Sequence, residues 1–228
     1  MQILSDSMFG LLTKPREKEM RILFYSVMST LVLFSAGCTN VDRSRTLGDP
    51  TVSGKTIAQQ VCSSCHGVDG NSISPEFPKL AGQQPQYLIT QLKNFNDHVR
   101  TDRLAQEIMA SMSRNLTDEQ ISQIADYFYQ QKPKNLTKLV GSDGAGKRIF
   151  ESGIPDKGVV PCMTCHGTKA EGNSVFPRLA GQHPQYLAKQ LLVFRDTHGR
   201  PDTPMGDISK PINDREIEQL ADYIAGLN

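Results

Sequence analysis

A nineteen-residue stretch, FPKLAGQQPQYLITQLKNF from Phe77 to Phe95, returns as FPRLAGQHPQYLAKQLLVF from Phe176 to Phe194, identical at thirteen positions. The duplication runs further. LTDEQISQIADYF from Leu116 matches INDREIEQLADYI from Ile212, and GKTIAQQVC from Gly54 opens like GKRIFESG from Gly146. A chain made of two copies of one unit folds as two like domains, here of roughly 85 residues each. The break falls in QKPKNLTKLVGSDG, where lysines, a proline and then glycines interrupt helical pattern. This places a first domain at 52–134 and a second at 135–228, behind a flexible segment at 39–51 and an export segment at 1–38.

Each copy reads as helical. PQYLITQLKNF puts Leu88, Leu92 and Phe95 on one face, with Pro85 at a helix N-terminal position. Thr117 is an N-cap and Gln120, three residues on, completes a capping box. Ile121, Ile124, Ala125 and Phe128 follow at helical spacing. No stretch alternates long enough for a substantial sheet, so the expected class is all-α. Apolar residues make up 38% of the chain and tryptophan is absent. Two small helical domains of that composition have thin cores and need a staple: a metal, a disulfide or a bound cofactor.

The staple is written in the repeat. VCSSCHG from Val61 and PCMTCHG from Pro161 each carry C-x-x-C-H. A zinc ribbon needs two such knuckles about 15–20 residues apart to supply four ligands. Here the two motifs lie in separate repeat units, with three local ligands each. A thioredoxin-like disulfide belongs at a strand-to-helix junction, and none is visible. Covalent haem accounts for every letter. Cys62 and Cys65, and Cys162 and Cys165, offer two thiols near one helical turn for the two vinyl groups, and His66 and His166 follow as proximal iron ligands. The macrocycle would also supply the missing apolar core.

The repeat also selects a second axial ligand. Met109 lies seven residues before Leu116, and Met205 lies seven before Ile212. Met112 has no counterpart, because Ile208 stands at its place, so it is expected to pack in the core. His183 replaces Gln84 of the first copy and is not a repeated feature. His98 and His198 sit in polar stretches that read as surface loops.

The N-terminus reads as an export signal. Arg21 precedes ILFYSVMSTLVLFSA, Ile22 to Ala36, whose length suits a signal h-region better than a membrane span. The polar segment before it makes Met20 an alternative start to Met1. Cys38 follows a small-residue pair, as in a lipoprotein signal where that cysteine is lipidated, although Ser35 stands where leucine is usual. Ordinary cleavage near the same point is the alternative. The net charge of +1 and the absence of a lysine–arginine run give no sign of nucleic-acid binding.

On CSSCHGVDGNSISPEFPKLAGQ, CMTCHGTKAEGNSVFPRLAGQ and the two registered methionines, the chain resembles the cytochrome c4 family over about residues 52–228. The resemblance implies two tandem class I cytochrome c domains related by a pseudo-twofold, with two covalently bound haem c groups facing across the interface. It implies that the carbonyls of Pro78 and Pro177 accept a hydrogen bond from the proximal histidines, and that saturated His/Met ligation gives a weak near-infrared Fe(III)–Met band. It further implies terminal helices that cross, with Tyr127 against Ile57 or Val61 and Tyr223 against Ile149 or Phe150.

The implied role is periplasmic, with the chain soluble or lipid-anchored. It would carry single electrons from a membrane quinol-oxidising complex to a haem–copper terminal oxidase, without catalysis of its own. The alternative is the electron-accepting haem subunit of a dehydrogenase complex, such as a sulfide-oxidising flavoprotein. A dihaem peroxidase would need an open iron site, whereas both copies keep a methionine in register. Residues 52–134 carry eight basic and eight acidic groups, and residues 135–228 eleven of each, so charge does not say which half docks which partner.

Overall fold

The computed structural model describes residues 45–103, 105–134, 144–197, 199–201 and 203–228. The export segment with Cys38, and His198, lie outside them. In the first half, α1 (Gly54–Ile57) widens into a π-type turn over Ala58–Cys62 and returns to α-helix in α2 (Ser63–His66). α3 (Pro85–Asn96) follows, then a second π-type segment, Ala105–Met109, leading into α4 (Ala110–Ser113), and finally α5 (Asp118–Tyr129). The second half repeats the order with α6 (Ala145–Ser152), α7 (Met163–His166), α8 (Pro184–Asp196), α9 (Met205–Ser209) and α10 (Asp214–Ala225). Among the described residues there are two isolated β-bridges and no strands.

The long helices start where the side chains dictate. Pro85 and Pro184 occupy the first positions of α3 and α8. At α5 the Thr117 hydroxyl accepts from the Gln120 N–H at 3.2 Å, and the Gln120 side chain accepts from the Thr117 N–H at 3.1 Å. Asn213 and Glu216 build the same box on α10. Each such cap satisfies backbone donors that the helix leaves unpaired, worth about 1 kcal/mol.

In each half the first helix packs on the terminal helix, α1 on α5 and α6 on α10, and the middle helix, α3 or α8, packs on the same terminal helix. A glycine permits each crossing. A methyl group at Gly54 would stand 2.5 Å from the Gln120 carbonyl oxygen. One at Gly146 would meet the Gln219 carbonyl and stand 2.8 Å from Tyr223 Cβ. Ile57, Leu88, Ile124 and Phe128 form the first core, and Phe150, Leu187, Leu220 and Ile224 the second.

The halves differ in the length of chain before the motif. Gly54 stands eight residues before Cys62, whereas Gly146 stands sixteen before Cys162. The additional residues form a loop with a 3-10 turn at Pro155–Lys157 and the bridge Ile154–Val159. Val159 then joins Ile212 and Ile217 in a small satellite core.

Candidate metal centres

His66 ends α2 and His166 ends α7, both buried. His66 Nδ1 lies 2.9 Å from the carbonyl oxygen of Pro78, and His166 Nδ1 lies 3.0 Å from that of Pro177. A carbonyl only accepts, so each Nδ1 carries the proton and each Nε2 is left with its lone pair. Burial lowers the pKa of both imidazoles, which keeps them neutral. Neither Nε2 has a hydrogen-bond partner among the described residues. Phe77 and Phe176 meet the rings edge-on at 6.2 and 6.4 Å.

The cysteines lie on the same turns as the histidines they precede, and no disulfide joins any of the four. Burial pushes the Cys62 and Cys162 thiols up to about 11. A dithiol redox centre needs a thiolate near neutral pH, and these are the reverse of that. Apolar side chains beside each motif are uncovered: Val68 and Val160 are half exposed, and Phe176 is 39% exposed. An imidazole lone pair, two adjacent thiols and uncovered apolar surface suit a large apolar metallocycle bound through sulfur.

The methionines occupy matching places. Met109 closes the π-type segment and leads into α4, and Met205 opens α9. Four residues after each, Ser113 and Ser209 are fully buried, and the Ser113 hydroxyl donates to the Met109 carbonyl at 2.8 Å.

The cytochrome c family model matches residues 51–132 and again 145–228. Cytochrome c4 of Azotobacter vinelandii is 36% identical over 179 residues, covering 74% of this chain and 85% of that protein. The crystal structure of reduced recombinant cytochrome c4 from Pseudomonas stutzeri superposes with a TM-score of 0.68 at 37% identity, over 77% of this chain and 97% of that one. The chain belongs to the cytochrome c4 family. The thiosulfate dehydrogenase electron acceptor of Stutzerimonas stutzeri is 30% identical over 184 residues, covering 78% of this chain and 83% of that protein.

As a member of the cytochrome c4 family, the chain is a dihaem electron-transfer cytochrome with two covalently bound haem c groups, one for each C-x-x-C-H motif. Its two halves meet across a polar seam. The Gln83 side chain grips the backbone of Arg178, accepting from its N–H at 2.7 Å and donating to its carbonyl at 2.9 Å. Gln182, the repeat partner of Gln83, grips Lys79, the repeat partner of Arg178, at 2.9 and 3.0 Å. Such an exchange of identical roles is what a pseudo-twofold requires.

The structure corrects one sequence expectation and places two of the histidines. Met112, expected in the core, is 41% exposed, because Ala110 and Ser113 take the buried face of the short α4. His183 is buried, and its Nε2 donates to the Ser72 carbonyl at 3.0 Å across the seam. His98 is exposed, as a surface loop requires, and adopts a positive φ of 55°. The seam glutamines were missed altogether. The available signal was AGQ, identical in both copies and ending in a polar residue that no helix pattern explains.

Proposed function

We propose that this chain is a periplasmic one-electron carrier, with a first domain at 52–134 and a second at 135–228 behind an export segment. His66 and Met109 hold one iron and His166 and Met205 the other. Cys62, Cys65, Cys162 and Cys165 carry the thioethers. The observation that carries this reading is the pair of histidine–proline hydrogen bonds, built identically in both halves.

Bound haem supplies a one-electron iron couple. The protein does the rest. Each proline carbonyl fixes its imidazole in the Nδ1–H tautomer, which directs Nε2 to the metal and increases its basicity. A thioether sulfur as the second ligand raises the potential relative to a second imidazole. Burial of both histidines would keep water from the imidazole side of a bound iron.

The donor on this reading is a membrane quinol-oxidising complex, and the acceptor is a haem–copper terminal oxidase. Cys38 is the candidate for a lipid anchor. A second reading is the electron-accepting subunit of a dehydrogenase that oxidises a sulfur compound. Its support is the similarity to the thiosulfate dehydrogenase electron acceptor.

The two readings separate in one experiment. Reduced holoprotein is mixed with membranes containing a haem–copper oxidase, and oxidised holoprotein with thiosulfate and a thiosulfate dehydrogenase. The first reading expects rapid oxidation in the former. Reduction in the latter, with no oxidation by the membranes, would replace it with the second. A mass lacking two haem units, or haem released by acid-acetone, would overturn both.

A further inference from the structure

At the seam, four side chains close a ring. The Gln91 amide oxygen accepts from Arg100 Nη1 at 2.9 Å and from Arg200 Nη2 at 2.9 Å. The Gln190 amide oxygen accepts from Arg100 Nη2 at 2.9 Å and from Arg200 Nη1 at 2.7 Å. Each arginine therefore holds one glutamine of its own half and one of the other. Phe95 lies under Arg100 at 4.7 Å and Phe194 under Arg200 at 4.4 Å.

The ring is connected to a ligand loop. Arg100 is 6% exposed, and its Nε pairs with Asp102 Oδ1 at 2.7 Å, where the two side chains are 6% and 7% exposed. The Asp102 carbonyl accepts from the Gln106 N–H at 3.1 Å, which starts the helical segment that ends at Met109. One residue before Asp102, the Thr101 N–H donates to the Gly199 carbonyl of the other half at 2.8 Å. A buried guanidinium that loses a partner is costly, so it holds its partners in fixed places.

We propose that Gln190 of the second half is a positioning residue for Met109 of the first, acting through Arg100 and Asp102. The inference rests on Met109 being the axial ligand. The two halves are then more than tethered neighbours, because the second half completes the first iron site. This explains why glutamine, arginine and a following aspartate recur in both copies at matching places: Gln91 with Gln190, Arg100 with Arg200, Asp102 with Asp202. Buried polar side chains of this kind contribute little net stability compared with apolar packing, but they fix geometry.

The test uses the full-length dihaem protein carrying Met205→His, so that the near-infrared Fe(III)–Met band reports the Met109 site alone. Into this parent is placed Gln190→Leu, or Gln190→Asn if the leucine variant does not fold. The band is followed against denaturant. Losing the two arginine hydrogen bonds that Gln190 accepts, the one from Arg100 among them, should raise the population without methionine ligation by at least about tenfold, moving the loss of the band to lower denaturant. Gln190→Glu, which keeps an acceptor oxygen at that place, should restore the parent behaviour. Leu220→Ala, in the second core but not a member of the ring, should leave the Met109 band where it was. A band unmoved by Gln190→Leu and Gln190→Asn, or moved equally by Leu220→Ala, overturns the relay. A parent with no Fe(III)–Met band overturns the Met109 assignment and the relay with it.

Discussion

Gln83 holds Arg178 by the backbone, with its carboxamide matching the peptide N–H and C=O at 2.7 and 2.9 Å. The glutamine is 6% exposed and its partner lies 95 residues away, so the pair locks one half to the other. Removing the amide strands two backbone groups in the seam. Gln83→Leu should cost about 1–3 kcal/mol per stranded group in chemical denaturation of the holoprotein. Gln182→Leu should cost a similar amount, since it strands the equivalent groups of Lys79. A loss within ordinary surface range, about 0.5 kcal/mol, would show that water replaces the amide in the seam.

Ligation is tested by exchange at the methionines. Met109→His and Met205→His should each lower the potential of one haem, by a fraction of the roughly 0.8 V that axial ligands span. Met112→Leu should leave both spectra intact, because its side chain is 41% exposed on the outer face of α4. A potentiometric titration with optical detection reads all three. Loss of the Fe(III)–Met band in Met112→Leu would move the ligand to that residue.

The turn after each motif contains a left-handed position that is glycine in one half and alanine in the other. Gly70 has φ 69° and Ala170 has φ 54°, and each carbonyl accepts from two N–H groups, those of Leu80 and Ala81 or of Leu179 and Ala180. A methyl at Gly70 would stand 2.7 Å from Ala81 N and 2.8 Å from Phe128 Cδ1. Gly70→Ala should therefore cost more than the ~1–2 kcal/mol of the left-handed conformation alone. Ala170→Gly gains that ~1–2 kcal/mol but loses about 0.8 kcal/mol of methyl burial and 0.5–1 kcal/mol of chain entropy, so it should be nearly neutral. Thermal unfolding of the two variants should differ clearly in sign or size.

Motif and cap were legible in the sequence because their partners are close along the chain. Thr117 and Gln120 are three residues apart, and His66 and Pro78 are twelve apart. Spacing alone determines the atoms that meet in the cap, whereas the His66–Pro78 bond was legible through the family resemblance. The seam was illegible for the opposite reason. Gln83 and Arg178, or His183 and Ser72, meet only after both halves have folded, and a glutamine bonding to backbone leaves no periodic trace. The π-type turns at Ala58–Cys62 and Ala105–Met109 were also hidden, since side-chain pattern at that length does not distinguish them from α-helix.

Tyr223 tests the helix crossing that walls the second site. Its ring lies 5.7 Å from that of Phe150, which is fully buried, at an interplanar angle of 54°. Its hydroxyl reaches Glu151 at 3.4 Å, a marginal distance, so packing and not hydrogen bonding dominates. Gly146, beneath it, allows α6 to approach closely enough for the rings to meet. Truncating a fully buried aromatic costs on the order of 3–5 kcal/mol, and a half-buried one proportionately less, so Tyr223→Ala should cost about 2 kcal/mol. Tyr223→Phe should keep nearly all of the stability, because it keeps the ring. Both haems should remain attached, since thioethers do not depend on packing. The measurement is chemical denaturation followed at the Fe(III)–Met band in a Met109→His background, which isolates the second half. A cost below about 0.5 kcal/mol for Tyr223→Ala would show that α6 and α10 are held at the glycine and by Leu220 and Ile224, without the tyrosine.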